Sequence, residues 1–435
     1  MPKASQILGL NARQKLFKSL NTRKARRIAN SKLLTKKYME QTGVAVPKLY
    51  AVFDAMDQVR QYDFEKIESS FVIKPSAGSG GRGIMVVRKK PKMIGQWLSV
   101  EGKILKLGDL TLHINDILEG QYSTVGSDNK AFVEERVPVH PKFKKYAYKG
   151  TPDIRVVVFN KVPVMAMLRL PTKESEGRAN LHQGAIGVGV DIATGVTLKG
   201  VHKGKILKYL PDSKRKLNGM KIPQWSTILK EAVAAADGAG LVYGGIDILL
   251  HPDKGPMVVE LNASPGLDIQ LANAAGLKWR LERVEGIQIK DAEHGVRVGK
   301  ALFAEFFSDK VKADEGLVIV NNFETVRVRR VDKKWVDVSA KLDTGAFRTS
   351  VDRKLAEELG ILAESNILWE RSYVNAIGRE RRLVVGLTFF LKGRRIKTAV
   401  SVSNREKVKT KLLIGRRDLQ GFLISPQPER DPYVK

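Results

Sequence analysis

Asp247, Glu260 and Asn262 are polar residues set in strand-like runs whose apolar pattern would not otherwise carry them. Residues 243–250 (YGGIDILL) and 257–262 (MVVELN) read as two strands joined by a Pro/Gly turn, HPDKGP. Glu260 and Asn262 are two apart, so on a strand they share one face, and Asp247 on the partner strand can lie beside them. Three oxygen donors without Cys or His suit Mg²⁺ held between protein and phosphates. A solvated strand face is the bland alternative. Ile246, Ile248, Val258, Val259 and Leu261 argue against it by implying burial on at least one side.

A second chemical signal is the run FVIKPSAGSGGRGIMVVR at 71–88. Gly78, Gly80 and Gly83 satisfy G-x-G-x-x-G, and Gly81 adds a fourth glycine. A dinucleotide fingerprint must open a helix, whereas Ile84-Met85-Val86-Val87 is strand-like, and no Gly-Lys-Ser/Thr follows for a Walker A loop. Strand, glycine loop, strand describes a hairpin able to fold over triphosphate with its backbone N–H groups, and Lys74 can add a point charge. An ordinary glycine-rich hairpin remains an equal alternative from these residues alone.

The third signal is Asp343-Thr344-Gly345-Ala346 after the apolar run WVDVSAKLD. It resembles the signature loop of pepsin-like and retropepsin-like aspartic proteases, and that resemblance implies acid proteolysis and a flap. Acid proteolysis needs two carboxylates sharing a proton, one to activate water and one to protonate the carbonyl. Only one Asp-Thr-Gly is present, so a homodimer must supply Asp343 twice. A β-barrel with a conventional turn there and no activity is the alternative. The segment Asn375-Ala376-Ile377-Gly378 is the candidate flap.

The chain that must position these groups has 435 residues, enough for two or three domains, and 43% hydrophobic with 28% charged residues excludes a largely disordered protein. Lys plus Arg number 76 against 46 Asp plus Glu, for a net charge of +30. Charge alone leaves nucleotide, nucleic acid, acidic peptide and membrane open as partners. Residues 1–40 carry +10, residues 41–319 carry +9 and residues 320–435 carry +11. The basic N-terminus suits an amphipathic helix, with a solvated face on its own domain favoured over membrane or nucleic-acid contact. No interleaved aromatic pattern supports nucleic-acid binding. The absence of cysteine removes disulfides, thiolate metal sites and cysteine nucleophiles. No apolar run approaches bilayer length and no secretory signal is evident, so a cytoplasmic protein is expected. The polar stretch Ser308–Gly316 is the best boundary, and after it short β-rich segments imply a small all-β unit. The expected division is a basic helical segment 1–30, a domain 31–308, a linker 309–316 and a domain 317–435.

Residues from about 30 to 285 resemble ATP-grasp enzymes, most closely the RimK-type α-L-glutamate ligases. The matching pieces come in family order: SKL at 31–33, TGVAVP at 42–47, the glycine run, FVEERV at 132–137, DIRV at 153–156, GRANLHQG at 177–184 and ELNASPG at 260–266. The resemblance implies an α+β ATP-grasp domain that uses ATP and Mg²⁺. Lys32 and Lys74 would bind phosphates, with Gly78, Gly80, Gly81 and Gly83 as the loop over them. Glu134 and Glu135 lie in the segment for adenine and ribose. Asp247, Glu260 and Asn262 would hold Mg²⁺, and Arg155, Arg169 and Asn180 would face the reacting carboxylate and γ-phosphate. The implied chemistry is attack of a carboxylate on the γ-phosphate, then of an amine on the acyl phosphate. The family carries a substantial subdomain before the entry lysine, and the 31 residues ahead of Lys32 are too few for one.

Residues 317–435 resemble retropepsin-like aspartic proteases, through Asp343-Thr344-Gly345-Ala346 and LLIGRRDL at 412–419. They are most similar to the bacterial family often labelled ATP-dependent zinc protease. No H-E-x-x-H, no cysteine and only scattered histidines are present to support the zinc. The leading expectation is a ligase fused to a retropepsin-like barrel with catalytic Asp343, homodimeric through its C-terminal domain, making and trimming bonds of an amino-acid or acidic peptide or protein substrate. One rival is a ligase whose C-terminal domain only binds or dimerises. The other is a basic ATP-binding adaptor.

Overall fold

The computed structural model describes residues 3–78, 80–89, 93–122, 129–303, 318–375, 378–406 and 408–425. The expected linker 309–316 and the flap-tip residues Ala376 and Ile377 lie outside the described residues. The chain divides into two compact units, Met1–Glu285 with Asp291–Val296, and Gly286–Lys290 with Arg297–Lys435.

The first unit is α+β, with two antiparallel sheets. One contains β1 (Leu49–Phe53), β2 (Phe71–Pro75), β3 (Met85–Lys89), β4 (Gln96–Leu98), β5 (Ile104–Lys106) and β6 (Ala131–Glu135), in the order β1-β6-β2-β3-β4-β5. Helix Leu107–Leu118 buries Leu110, Ile114 and Ile117, at the 4,3 spacing of one helical face, in a cluster with Phe71, Ile73 and Val133. The other sheet contains β7 (Asp153–Phe159), β8 (Val162–Leu170), β9 (Ile186–Val190), β10 (Thr197–His202), β11 (Lys205–Leu207), β12 (Tyr243–His251) and β13 (Gly255–Asn262). Its order is β11-β10-β9-β8-β7-β12-β13. Every residue of β7 and β8 is buried, which is why these strands read as continuous rather than alternating apolar runs. Helix Trp225–Gly238 packs across β7, β12 and β13 and buries Ile228, Leu229, Ala232, Val233 and Ala236.

The basic N-terminus differs from the single amphipathic helix expected. Residues 4–20 form a succession of short helical turns, and a separate helix, Arg23–Ala29, starts at the N-cap Thr22. Local anchors explain the breaks. Leu8 exchanges both backbone groups with the Gln270 amide, and the Asn21 amide accepts from the N–H groups of Val242 and Tyr243 and donates to the Tyr243 carbonyl. Phe17 packs edge-on against Phe159, with ring centroids 5.5 Å apart. The segment is thereby part of the first unit.

Among the described residues the second unit is a closed β-barrel of six strands with three further strands outside the ring. Its strands are β14 (Val318–Asn321), β15 (Phe323–Arg329), β16 (Trp335–Asp343), β17 (Ser350–Asp352), β18 (Ile367–Asn375), β19 (Gly378–Leu391), β20 (Arg394–Ser403), β21 (Leu412–Gly415) and β22 (Phe422–Ser425). Six of them run β15-β16-β21-β17-β20-β19, and the β15–β19 pairing closes the ring, while β18 extends β19. Alternation along β15 places Val326 and Val328 inside with Phe389, Ile396 and Ile414. β14 pairs in parallel with β22.

Candidate active site

β2 and β3 pair antiparallel from Phe71↔Val87 to Ile73↔Met85, so the glycine run is a hairpin loop rather than a helix entry. Gly78, Gly80, Gly81 and Gly83 all have positive φ. At Gly83 the glycine is required twice over, because a Cβ there would sit 2.6 Å from the Tyr122 ring as well as at φ +71°. The loop is held from several sides. Lys32 Nζ donates to the Gly78 carbonyl at 3.0 Å, and His113 Nε2 lies 3.0 Å from the Gly83 carbonyl. A Cβ on Gly80 would meet Asn180 Nδ2 at 3.4 Å, so the loop tip faces Asn180. Asn180 itself caps the turn Leu181–Gln183 through the His182 N–H.

Lys74 projects from β2 and ion-pairs with Glu134 of β6. The second oxygen of Glu134 pairs with Lys36 at 2.9 Å. Burial alone would raise the Glu134 carboxyl, but the two ammonium groups outweigh it and hold the carboxyl below its ordinary value. Lys36 is buried and was not singled out by sequence, although it lies one helical turn after Lys32. Glu135 pairs with Lys254 at 2.5 Å, linking the first sheet to the β12–β13 turn. Burial pushes this carboxyl up, but the hydrogen bonds from Lys254 and the Lys48 N–H, with the Lys254 charge, together prevail and lower it.

The second sheet supplies a buried quartet of two carboxylates and two guanidiniums. Arg155 of β7 grips Asp247 of β12 bidentately, at 2.7 and 2.6 Å. Arg169 of β8 bonds both Asp153 oxygens and reaches Asp247 at 2.6 Å. Cross-strand register creates the cluster, because Asp247 lies opposite Arg155 and Asp153 opposite Arg169. Burial raises Asp247, but the two arginines prevail and its carboxyl is held low. Asp153 is pushed up, first by burial and also by the charge of Asp247, against the pull of Arg169. Sequence reasoning placed Asp153 only in a matching motif, without a role.

Glu260 stands opposite Asp247 and Asn262 opposite Gly245. A bulge lies next to this pair, since Ile248 pairs with Val258 and leaves Val259 as the extra residue. Half-buried Glu260 has no ion pair or hydrogen bond among the described residues, whereas Asn262 Oδ1 accepts from the Ser264 N–H at 2.8 Å. Glu260 and Asn262 thus present hard oxygen donors that fit Mg²⁺. Asp247 does so less directly, with both oxygens committed to arginines. Among the described residues there is no cluster of three or more His, Asp or Glu suited to a metal.

These groups converge on one cavity of about 1060 Å³. Lys32, Lys74, Gly78, Gly80, Gly81, Glu134 and Glu135 line one part of it, and Arg155, Arg169, Asn180, Asp247, Glu260 and Asn262 another. Gly83 buttresses the loop without lining the cavity, and Asp343 belongs to the second unit. Arg13, from the segment read as a solvated face, also reaches the wall and donates to the Pro265 carbonyl at 2.8 Å. Its only sequence signal was membership of a basic run.

In the barrel, Asp343 ends β16 and pairs with Gly415 of β21. Its Oδ1 accepts from the N–H groups of Gly345 at 2.8 Å and Ala346 at 3.0 Å. Behind the loop, Thr349 and Thr398 donate to buried Asp418. A Cβ on Gly415 would lie 2.4 Å from the Arg348 backbone, so the loop can press directly on β21.

A family model described as sugar-transfer associated ATP-grasp matches residues 11–286. A probable alpha-L-glutamate ligase of Aliivibrio salmonicida is 29% identical over 192 residues, covering 43% of this chain and 52% of that protein. One of Pseudoalteromonas translucida is 31% identical over 119 residues, covering 27% and 28%. The chain spans about half the length, or less, of the curated relatives it matches. Among solved structures, a D-alanine-D-alanine ligase from Coxiella burnetii aligns with a TM-score of 0.35 at 11% identity, over 61% of this chain and 58% of that one. Among the described residues no helix is long and apolar enough to cross a membrane.

Proposed function

The chain belongs to the sugar-transfer associated ATP-grasp family, and on that premise we propose that its first unit joins a carboxylic acid to an amine at the expense of ATP. ATP and Mg²⁺ are the cofactors of ATP-grasp ligases. The observation that carries the reading is the convergence of the glycine hairpin, Lys74, the Arg155–Arg169 quartet and Glu260 on one cavity.

When bound, ATP supplies the phosphoryl group that gives the carboxylate a leaving group, and Mg²⁺ neutralises the phosphates. Glu260 and Asn262 would hold the metal. The N–H groups of the glycine hairpin and the ammonium of Lys74 would face the phosphates, with Lys32 fixing the hairpin through Gly78. Glu134 fixes Lys36 and Lys74 in place. Asp247 and Asp153 hold the guanidiniums of Arg155 and Arg169 rigid at the cavity wall, where they would orient the acid and stabilise charge on the transferring group. The relatives named as probable alpha-L-glutamate ligases make glutamate the first acid or amine to test. Purified protein incubated with ATP, Mg²⁺ and single amino acids should release ADP and phosphate with one of them and give a product heavier by one residue. No amino-acid-dependent turnover across the set, alone or with acidic peptides, would refute the reading.

For the second unit we propose a retropepsin-like aspartic peptidase, active as a homodimer and able to trim the product of the first. The supporting observation is Asp343 at a strand end, its carboxylate fixed by the Gly345 and Ala346 N–H groups. A binding or dimerisation role for the barrel is the alternative, favoured if no peptide containing the ligated bond is cut.

A further inference from the structure

We propose that the outer face of the barrel formed by β16, β15, β19 and β20 binds single-stranded nucleic acid. Residues directly opposed on antiparallel strands point to the same side of a sheet. Arg327 is opposed by Asp337 on β16 and by Phe390 on β19, and Phe390 by Arg395 on β20. Likewise Arg329 is opposed by Trp335, and Lys397 by Thr388. Their sequence neighbours Val328, Phe389 and Ile396 are in the core, so this set faces outward.

The rings and the cations on this face lie side by side. Trp335 and Phe390 have centroids 4.9 Å apart. The guanidinium of Arg327 lies 5.6 Å from the Phe390 centroid, and that of Arg329 lies 6.0 Å from the Trp335 centroid. A groove of about 480 Å³ beside them is lined by Phe323, Glu324, Thr325, Arg327, Phe390 and Lys392. Among the described residues Arg327, Arg329, Arg395 and Lys397 have no carboxylate in ion-pair contact, while nearby Glu324 is taken by Lys392 at 3.0 Å. Burial, then the charges of Arg395 and Arg329, lower the ammonium of Lys397. Among the described residues Asp337, opposed to Arg327, is likewise not in ion-pair contact with these cations. Cations held this close repel one another, and a polyanion laid across them removes that cost.

The aromatic pair selects the kind of polyanion. A single strand offers a phosphate and an unstacked flat base at each step, matching cations interleaved with rings and guanidinium planes. An acidic peptide would use the cations but bring no flat base to pack on Trp335 and Phe390. A duplex keeps its bases inside. The pattern is not visible along the sequence because each ring and its cation come from different strands.

The test uses the full chain and a fluorescein-labelled oligothymidylate of about twenty nucleotides, longer than one small barrel's site, read by anisotropy across a salt series. Wild type should bind, with affinity falling as salt rises. Arg327→Gln with Arg329→Gln should lessen the log–log salt slope by roughly 1.4, at about 0.7 per phosphate contact. Trp335→Ala should weaken binding roughly tenfold at an unchanged slope, within the range for one lost stacked base. Melting curves check that each variant is folded, and Arg329→Gln alone serves if Trp335→Ala is not. Absence of binding at low salt overturns the proposal. So does binding untouched by these variants, which would locate it at another basic segment, and so does equal affinity for poly-L-glutamate, which would make the face an acidic-polypeptide site.

Discussion

Glu260 and Asp247 oppose each other across the β12–β13 ladder, yet their carboxylates do different work. Asp247 is buried and held by Arg155 and Arg169, whereas half-buried Glu260 has no partner among the described residues. A bulge at Val259 immediately precedes Glu260 on β13. One carboxylate is thus tied into an ion-pair cluster, and the other has no ion pair among the described residues.

Substitution should separate the two. Glu260→Ala is expected to abolish ATP turnover with stability changed by less than about 1 kcal/mol, since the lost group is neither fully buried nor paired. Asp247→Asn should destabilise by about 3 kcal/mol, because two buried guanidiniums lose their shared counterion. Urea unfolding and phosphate release on both proteins check this. Equal stability losses would refute the division of labour.

Glu134 makes a second paired test possible. Lys74→Met removes a charge at the cavity wall, and Lys36→Met removes the other partner of the same carboxylate. Lys74→Met should weaken ATP binding at least tenfold by calorimetry. Lys36→Met should weaken it less and lower the melting temperature more, because Lys36 also donates to the Pro47 carbonyl inside the protein. The opposite ranking would make Lys36 the phosphate-facing lysine.

The contrast between these lysines shows where sequence reading stops. Lys74 is legible because it ends an apolar strand beside a glycine run, and Glu260 because an acid interrupts MVVEL. Lys36 lies in a helix of mixed polarity, where nothing local distinguishes a buried ammonium from a solvated one. Its partner Glu134 is far away in sequence. Asp153 gains its meaning only from register, since it becomes a counterion by lying opposite Arg169. Arg13 looked like one charge in a basic run until Asn21 and Phe17 fastened that run to the sheet and Leu8 fastened it to the helix Ile269–Asn273. Local pattern therefore gives the strands and the residues that break their pattern. Pairing across the fold gives the partners.

The quartet also predicts opposed pH dependences. Asp247 has a lowered folded pKa, so its stabilisation is complete above the unfolded value of about 3.9 and is lost as pH falls through the folded one. Asp153 has a raised folded pKa, so the folded state binds the extra proton. Its contribution falls as pH rises from about 4 toward that raised value. The stability of Asp153→Asn relative to wild type should therefore rise across that window. Urea midpoints for both proteins between about pH 4 and pH 7 would show it, and a flat or falling difference would mean that Asp153 is not raised.

The barrel yields the last expectation, which concerns copy number. One Asp343 carboxylate, fixed by two backbone N–H groups, cannot both take a proton from water and give one to a carbonyl in the same step. Two copies meeting at a twofold axis would share one proton and titrate as a pair, giving a bell-shaped rate profile. Asp343→Asn should then abolish peptide cleavage while leaving amino-acid-dependent ATP turnover intact, because Asp343 belongs to a different unit from the nucleotide cavity. An excess of Asp343→Asn chains mixed with wild type under subunit exchange should suppress cleavage beyond simple dilution, since each mixed dimer holds only one carboxylate. Sedimentation at the assay concentration supplies the control. Cleavage by a demonstrably monomeric wild-type protein would defeat the shared site, and the second carboxylate would have to be sought within one chain. Asp418 does not qualify, because Thr349 and Thr398 already donate to it in the barrel interior.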